Sequence, residues 1–251
     1  MENNELIISK NNGVLSIKLN RPAKKNALTN KMLNKIVESM KEAISDDNIK
    51  IVYFTGTGDV FSSGNDFNNF SDATFDQNIA GFKNLIDFLI DYPKVMIAGV
   101  NGMCIGVSFS FLTLFDVVLC ADSAFFQAPF IQTLQCPEAI SSFTFPILLG
   151  KSMAGHLLLN GGVMSSQEAK EAGFVTKVFE KDYFENDAYD YAVQMAKHPL
   201  KSLMLIKNMI TRNYREHFHK INENECKDLR SCWDNKNFQN IIRKFVKNPK
   251  F

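Results

Sequence analysis

The chain has 251 residues, of which 45% are hydrophobic, 12% aromatic and 22% charged. That composition excludes intrinsic disorder, collagen-like repetition and a disulfide scaffold as its organising principle. Twenty-eight Lys and Arg against 27 Asp and Glu leave a net charge of +1, so no whole-surface field recruits nucleic acid or anionic lipid, and any anion site is local. Five cysteines (Cys104, Cys120, Cys136, Cys226, Cys232) cannot all pair within the chain, and none forms a C-x-x-C. They point to a reducing compartment rather than to a zinc site. The opening MENNELIISK has neither the apolar run of a secretory leader nor the Arg-rich character of a transit peptide, and no stretch of about 18 apolar residues follows. The expectation is a soluble intracellular protein without a membrane span.

In chain order, Leu6 to Ile8 and Val14 to Leu19 read as a hairpin around Asn-Asn-Gly. Thr29 is the expected N-cap of an amphipathic helix carrying Leu33, Ile36, Val37, Met40 and Ile44 and ending near Asp46. A buried strand, Ile49 to Gly56, leads into a long polar loop. Phe82, Leu85, Ile86 and Leu89 then mark a helix that Pro93 stops. Val95 to Val100 is a strand, Gly106 to Phe115 an apolar helix, and Val117 to Ala121 a strand. This alternation predicts an α/β fold. Ser165 to Gly173 reads as a capped short helix, FVTKVF as a last strand, and residues 183 to 246 as three amphipathic segments. With no internal repeat and no flexible linker, the expected organisation is a core over residues 1–195 with a helical extension over 196–251.

Absences narrow the chemistry. The four histidines, in segments that read as helical, form no H-E-x-x-H and adjoin no G-x-S-x-G elbow, and the glycines of TGTGDVFSSG form neither a phosphate loop nor a dinucleotide fingerprint. Two glycine-rich turns remain, each following a strand: FSSGNDF (Phe61 to Phe67) and NGMCIGVSFSF (Asn101 to Phe111). Backbone N–H groups from two such turns can hold an oxygen that becomes negative during reaction. The glycines serve equally well simply to permit tight turns. Glu138, directly after Pro137, likewise reads on its own as a helix-start carboxylate.

RPAKKNAL (Arg21 to Leu28), the FSSGND loop and the NG-x-x-x-G turn, in this order and separation, resemble the crotonase superfamily, whose members act on acyl-coenzyme A thioesters. The resemblance continues through LFDVVLCADSAFFQAPF, CPEAISSFTFP and MSSQEAKEAGFVTKVF to the C-terminal helices, and it is nearest to the peroxisomal type of Δ3,Δ2-enoyl-CoA isomerase. It implies a ClpP-like spiral of ββα units. It also implies an oxyanion hole made by the backbone N–H groups of Asn65 and Val107, which follow Gly64 and Gly106. Ser63, Gly64, Asn65, Asp66, Phe67, Asn68 and Gly106 would line the substrate pocket, and Lys24 would contact coenzyme A phosphates. Superfamily hydratases add water with two glutamates; the matching positions here are Ser110 and Phe130, neither of which is a carboxylate. The peroxisomal-type isomerases place a single catalytic glutamate in a Pro-Glu-Gly segment, and the matching residue is Glu138, with Ala139 in place of the glycine.

The reaction implied is transfer of a proton from C2 to C4 of a 3-enoyl-CoA in the β-oxidation of unsaturated fatty acids. Coenzyme A would enter as part of the substrate, with no metal and no further cofactor. The family resemblance also implies a homotrimer or hexamer, in a peroxisome or mitochondrion, although the ending Asn248-Pro249-Lys250-Phe251 lacks the terminal leucine of a peroxisomal address. The alternative is a non-catalytic acyl-CoA-binding module like the crotonase-like domain of chromodomain Y-like corepressors. That type carries aspartate where this chain has Glu138.

Overall fold

In the computed structural model of the chain, residues 4–67 and 75–247 are described. Strands β1 (Leu6–Asn11) and β2 (Val14–Leu19) pair antiparallel, and Asn11 faces Val14 across a two-residue turn. Asn12 and Gly13 lie at φ +51° and +79°, the left-handed pair that matches the twist of a tight hairpin. The first strand thus runs three residues past Ile8. Thr29 caps α1 (Asn30–Ile44), its hydroxyl oxygen accepting from the Met32 N–H at 3.1 Å.

The chain then repeats one unit three times. β3 (Ile51–Gly56) and β4 (Val60–Ser62) precede α2 (Phe75–Asp91); β5 (Val95–Val100) and β6 (Met103–Ile105) precede α3 (Val107–Ser110); β7 (Val117–Ala121) and β8 (Phe125–Gln127) precede α4 (Ser141–Asn160). The first strand of each pair joins a six-stranded sheet ordered β1-β2-β3-β5-β7-β10, and the second joins a four-stranded sheet ordered β4-β6-β8-β9. β9 (Val163–Ser165), α5 (Ser166–Glu171) and β10 (Lys177–Phe179) complete both sheets. Beyond the antiparallel β1–β2 and β8–β9 pairs, the ladders are parallel. The architecture is α/β, a spiral of ββα turns.

Because β3 and β5 are covered on both faces, every residue of each is buried, as a parallel sheet between helical layers requires. One face packs Leu15, Ile17, Val52, Phe54, Met96 and Ala98 into the main core with α1 and α2. The other packs Val14, Ile51, Tyr53, Val95 and Ile97 against α6 (Phe184–Ala196). Ala188, Ala192 and Ala196 recur every fourth residue there and let the helix lie close to the sheet.

Three local expectations are corrected. The apolar stretch after Gly106 is α-helical only through Ser110 and tightens into a 3₁₀ turn over Phe111–Leu114. The C-terminal region holds four helices rather than three: α6, α7 (Leu200–Thr211), α8 (Arg215–Trp233) and α9 (Lys236–Lys247). His198 lies in the bend between α6 and α7, whose Pro199 cannot continue a helix through its missing N–H. The capped helix at Ser165 is present in full, with reciprocal bonds between Ser165 and Glu168. Among the described residues, no helix is long and apolar enough to cross a membrane.

Candidate active site

The Arg21 to Leu28 segment buttresses the FSSGND turn. Asn26 is fully buried; its amide donates to the carbonyls of Thr57 (3.0 Å) and Val60 (2.7 Å), and its oxygen accepts from the Arg21 N–H (2.8 Å). The Ser62 hydroxyl donates to Asn26 O at 2.9 Å and accepts from the Gly64 N–H at 3.1 Å. Leu28 N donates to Gly64 O (2.8 Å), and Asp66 N to Leu28 O (2.9 Å). These bonds hold Gly64 at φ +90°. A Cβ there would approach Ile105 O to 2.8 Å and would lie 3.6 Å from Val107 N, so the first turn presses against the second.

The second turn starts from β6. Gly106, at φ +63° and ψ −133°, occupies backbone space open essentially to glycine alone. The Ser108 hydroxyl lies 2.9 Å from Ser62 O and 2.7 Å from Ile105 O, tying the two turns together. Among the described residues, neither the Asn65 nor the Val107 N–H donates to a protein acceptor.

A third segment, following β8, brings Pro129, Phe130, Thr133, Gln135 and Glu138 to the same place. Together with Ser63, Gly64, Asn65, Phe67, Ile105, Gly106 and Val107 they line one pocket. Seven residues expected from sequence (Ser63, Gly64, Asn65, Phe67, Gly106, Val107, Glu138) therefore share a cavity. Asp66 does not line it; its carboxylate pairs with Arg21 at 2.9 Å. Lys24 is exposed on the 3₁₀ turn Pro22–Lys24, and Asn68 lies outside the described residues. Ser110 is buried at the end of α3, and Phe130 stands in the pocket wall.

Glu138 is 8% exposed, and among the described residues nothing donates a hydrogen bond to its carboxyl group. Burial first, and the like charge of Glu225 second, raise its pKa to about 8. Directly after it, Ala139 and Ile140 lie at φ +56° and +61°, both left-handed and both fully buried. Glu225 belongs to none of the motifs that stand out in the sequence. It lies on α8, where Asn222, Glu225, Cys226 and Leu229 form the buried stripe. A carboxylate on an otherwise inward-facing helix stripe was the signal that could have found it. Its two oxygens accept from Ile140 N (2.6 Å) and Ser142 N (2.9 Å). Among the described residues, no group of three or more His, Cys, Asp or Glu side chains is placed to hold a metal ion.

Two turns that leave a pair of backbone donors beside a buried carboxyl group, carried on a ββα spiral, define a crotonase-type site. The profile of the enoyl-CoA hydratase/isomerase family matches residues 9–251, and the chain belongs to that family. Rat enoyl-CoA delta isomerase 2 is 39% identical over 251 residues, covering 98% of this chain and 64% of that protein's length. Mouse enoyl-CoA delta isomerase 3, peroxisomal, is 33% identical over 98% of this chain and 79% of its own length. Human testis-specific chromodomain protein Y 1 is 30% identical over 97% of this chain and 46% of its length. The crystal structure of an enoyl-CoA hydratase/isomerase from Pseudoalteromonas atlantica T6c superposes with a TM-score of 0.89 at 30% identity, covering 97% of each chain. The chain thus spans less than two thirds of the rat isomerase, and its fold is that of the crotonase superfamily.

Proposed function

We propose that the protein is a Δ3,Δ2-enoyl-CoA isomerase, converting 3-enoyl-CoA to trans-2-enoyl-CoA. The observation that carries this reading is that a buried carboxyl group, Glu138, lines one pocket with Asn65 and Val107, while Ser110 and Phe130 stand at the positions that the resemblance matches to the hydratase glutamates. The two N–H groups take the thioester oxygen. Glu138 removes a proton from C2, and the electron pair moves through the carbonyl to give a dienolate whose oxygen carries the charge. The double bond shifts to C2–C3 as Glu138 returns the proton to C4 and the carbonyl re-forms. Loss of one such donor typically costs about 3 kcal/mol, or roughly two orders of magnitude in rate. A base with a pKa near 8 holds and releases a proton close to neutral pH, as a two-way carrier needs.

The pocket-lining Ser63, Gly64, Asn65 and Phe67 hold the thioester and the adenine end, and Lys24, exposed beside that loop, meets the coenzyme A phosphates. Residues 196–251 serve assembly and cover the site, adding Glu225 from α8 to the core of residues 1–195. Leu205, Ile206, Met209 and Ile210 on α7 are 54–65% exposed, an apolar face that favours a homotrimer or a pair of trimers. A monomer mass by light scattering at micromolar concentration contradicts that assembly. The place of action on this reading is β-oxidation of unsaturated acyl chains in a peroxisome or mitochondrion.

The test is a spectrophotometric assay with trans-3-hexenoyl-CoA that follows the conjugated 2-enoyl product, with Glu138→Gln alongside. Turnover by the wild type alone supports the isomerase. Coenzyme A ester binding without turnover instead supports the second reading, an acyl-CoA-binding module akin to the chromodomain relative. The glutamate at 138, where the corepressor type has aspartate, favours the enzyme.

A further inference from the structure

We infer that Glu225 is the positioning residue for the Glu138 base: its carboxylate, brought in on α8, holds the left-handed turn that aims Glu138 into the pocket. The inference rests on the reading of Glu138 as the base.

The turn after Glu138 is unusual for its sequence. Ala139 and Ile140 are consecutive left-handed residues, and a Cβ makes that conformation unfavourable, most of all for a β-branched side chain. Ile140 is the N-cap of α4, and no side chain of the capping segment itself bonds the helix start. Glu225 supplies those bonds from a distant element, one oxygen on Ile140 N (2.6 Å) and the other on Ser142 N (2.9 Å). On the carbonyl side, Glu138 O accepts from the Ser141 hydroxyl at 2.7 Å and from Ser141 N at 3.2 Å. The backbone on the C-terminal side of Glu138 is thereby pinned at both its donors and its acceptor.

Glu225 is itself fixed. It is 5% exposed, and α8 is docked on α2 one turn away, where the Asn222 amide donates to Asp87 Oδ1 (2.9 Å) and Lys83 O (3.2 Å). A carboxylate has two acceptor oxygens for two N–H groups. Glutamine, of the same shape, has one acceptor oxygen and an amide that faces the remaining N–H donor to donor. Glutamine at 225 therefore keeps the packing and loses half the clamp.

This predicts a specific rescue. Glycine adopts left-handed backbone without penalty, so Ala139→Gly makes the turn less dependent on Glu225. Four proteins are compared with trans-3-hexenoyl-CoA: wild type, Glu225→Gln, Ala139→Gly and the double variant, with Glu138→Gln as the control for the base. The expected result is a kcat lowered roughly 10- to 100-fold in Glu225→Gln, the scale set by slight misplacement of a reacting group. KM is expected to stay within about twofold, because the coenzyme A contacts lie on other loops. Ala139→Gly alone should stay near wild type, and the double variant should recover kcat at least about fivefold over Glu225→Gln.

Should Glu225→Gln fail to fold, the same comparison runs in Glu225→Asp, whose carboxylate is one methylene too short to reach both N–H groups. An inactive wild type, or an active Glu138→Gln, overturns the base and with it the positioning. With those controls behaving, wild-type kcat in Glu225→Gln, an equal loss in kcat and affinity, or a double variant no better than Glu225→Gln overturns the positioning alone.

Discussion

Glu138 and Glu225 are two buried carboxyl groups of like charge, and only Glu225 has hydrogen-bond donors facing it among the described residues. Burial raises the pKa of both; at Glu225 the bonds from Ser142 and Ile140 oppose that rise, whereas at Glu138 the charge of Glu225 adds to it. Among the described residues, Glu138 is thus left with nothing that favours its charged form. The thiols of Cys136 and Cys226, which also feel Glu138, are pushed up by burial and stay neutral, Cys226 to about 12.

A pH dependence of activity follows. If Glu138 is the base, as proposed, it must be deprotonated to take the C2 proton, so kcat/KM is expected to rise with pH and level off above about 8. Removing the neighbouring charge in Glu225→Gln should move that limb to lower pH. A pH–rate profile whose limb stays in place in this variant contradicts the electrostatic coupling.

The same shift has a stability cost of definite sign. Glu138 has a folded pKa of about 8 against an ordinary 4.5, so between these values the native state holds more protons than the unfolded chain and stability falls as pH rises. Glu138→Gln removes that loss. Its Tm advantage over wild type should be small near pH 4.5, grow up to about pH 8 and then stay constant, as thermal scans across the range would show.

Gly64→Ala probes the junction of the two turns. A Cβ 2.8 Å from Ile105 O, at φ +90°, has to push the first turn off the second. Activity should drop by roughly 10²- to 10³-fold, the range for a lost oxyanion donor. Thermal stability should fall by much less than a core cavity causes, and the ratio of the two effects separates site damage from unfolding.

His219 reports on how α8 is held to α2. Its ring nitrogens lie 2.9 Å from Asp87 Oδ1 and 3.1 Å from Asp91 Oδ2. Burial opposes its charge, but the hydrogen bonds to Asp87 and Asp91 outweigh that and raise its pKa above the ordinary 6.5. The stabilisation is complete below 6.5 and is lost as pH rises through the raised folded value. His219→Asn should therefore lower Tm at pH 6 and leave it close to wild type well above that value.

Lys94 closes the C-terminus of α1 through backbone carbonyls. Its ammonium group, 1% exposed, donates to the carbonyls of Ala43 (2.6 Å), Asp46 (2.9 Å) and Ile49 (2.7 Å). Ala43 O and Asp46 O also accept backbone N–H bonds, so Lys94→Met strands them only in part. The expected loss is about 2 kcal/mol in urea denaturation, with the activity of the folded enzyme unchanged.

What the sequence disclosed is what depends on neighbours in the chain. The Asn12-Gly13 turn, the Thr29 cap and the Ser165–Glu168 box each use residues within four positions of one another. Strands β5 and β7 match their apolar runs residue for residue. The change from α to 3₁₀ at Phe111 was hidden because both helix types accept the same apolar residues. Of the site, the residues on the two turns and Glu138 came from the family resemblance, and the pocket gathers most of them. Glu225 did not come, because its partners lie more than 80 positions away and amphipathic periodicity treats a helix as if it stood alone. The support that the Asn26 side chain gives to the FSSGND turn was equally invisible, since it consists of bonds to the backbone of Arg21, Thr57 and Val60.

The pocket draws one segment from the end of each of three successive parallel strands, β4, β6 and β8. With Glu138 as the base, the first two segments seat the electrophile and the third carries the proton shuttle, which is a division of labour with a consequence for descent. What kind of ester is accepted and what is then done to it are inherited in separate stretches of chain. A chain on this scaffold can exchange one chemistry for another by placing an acid on a different one of these connections.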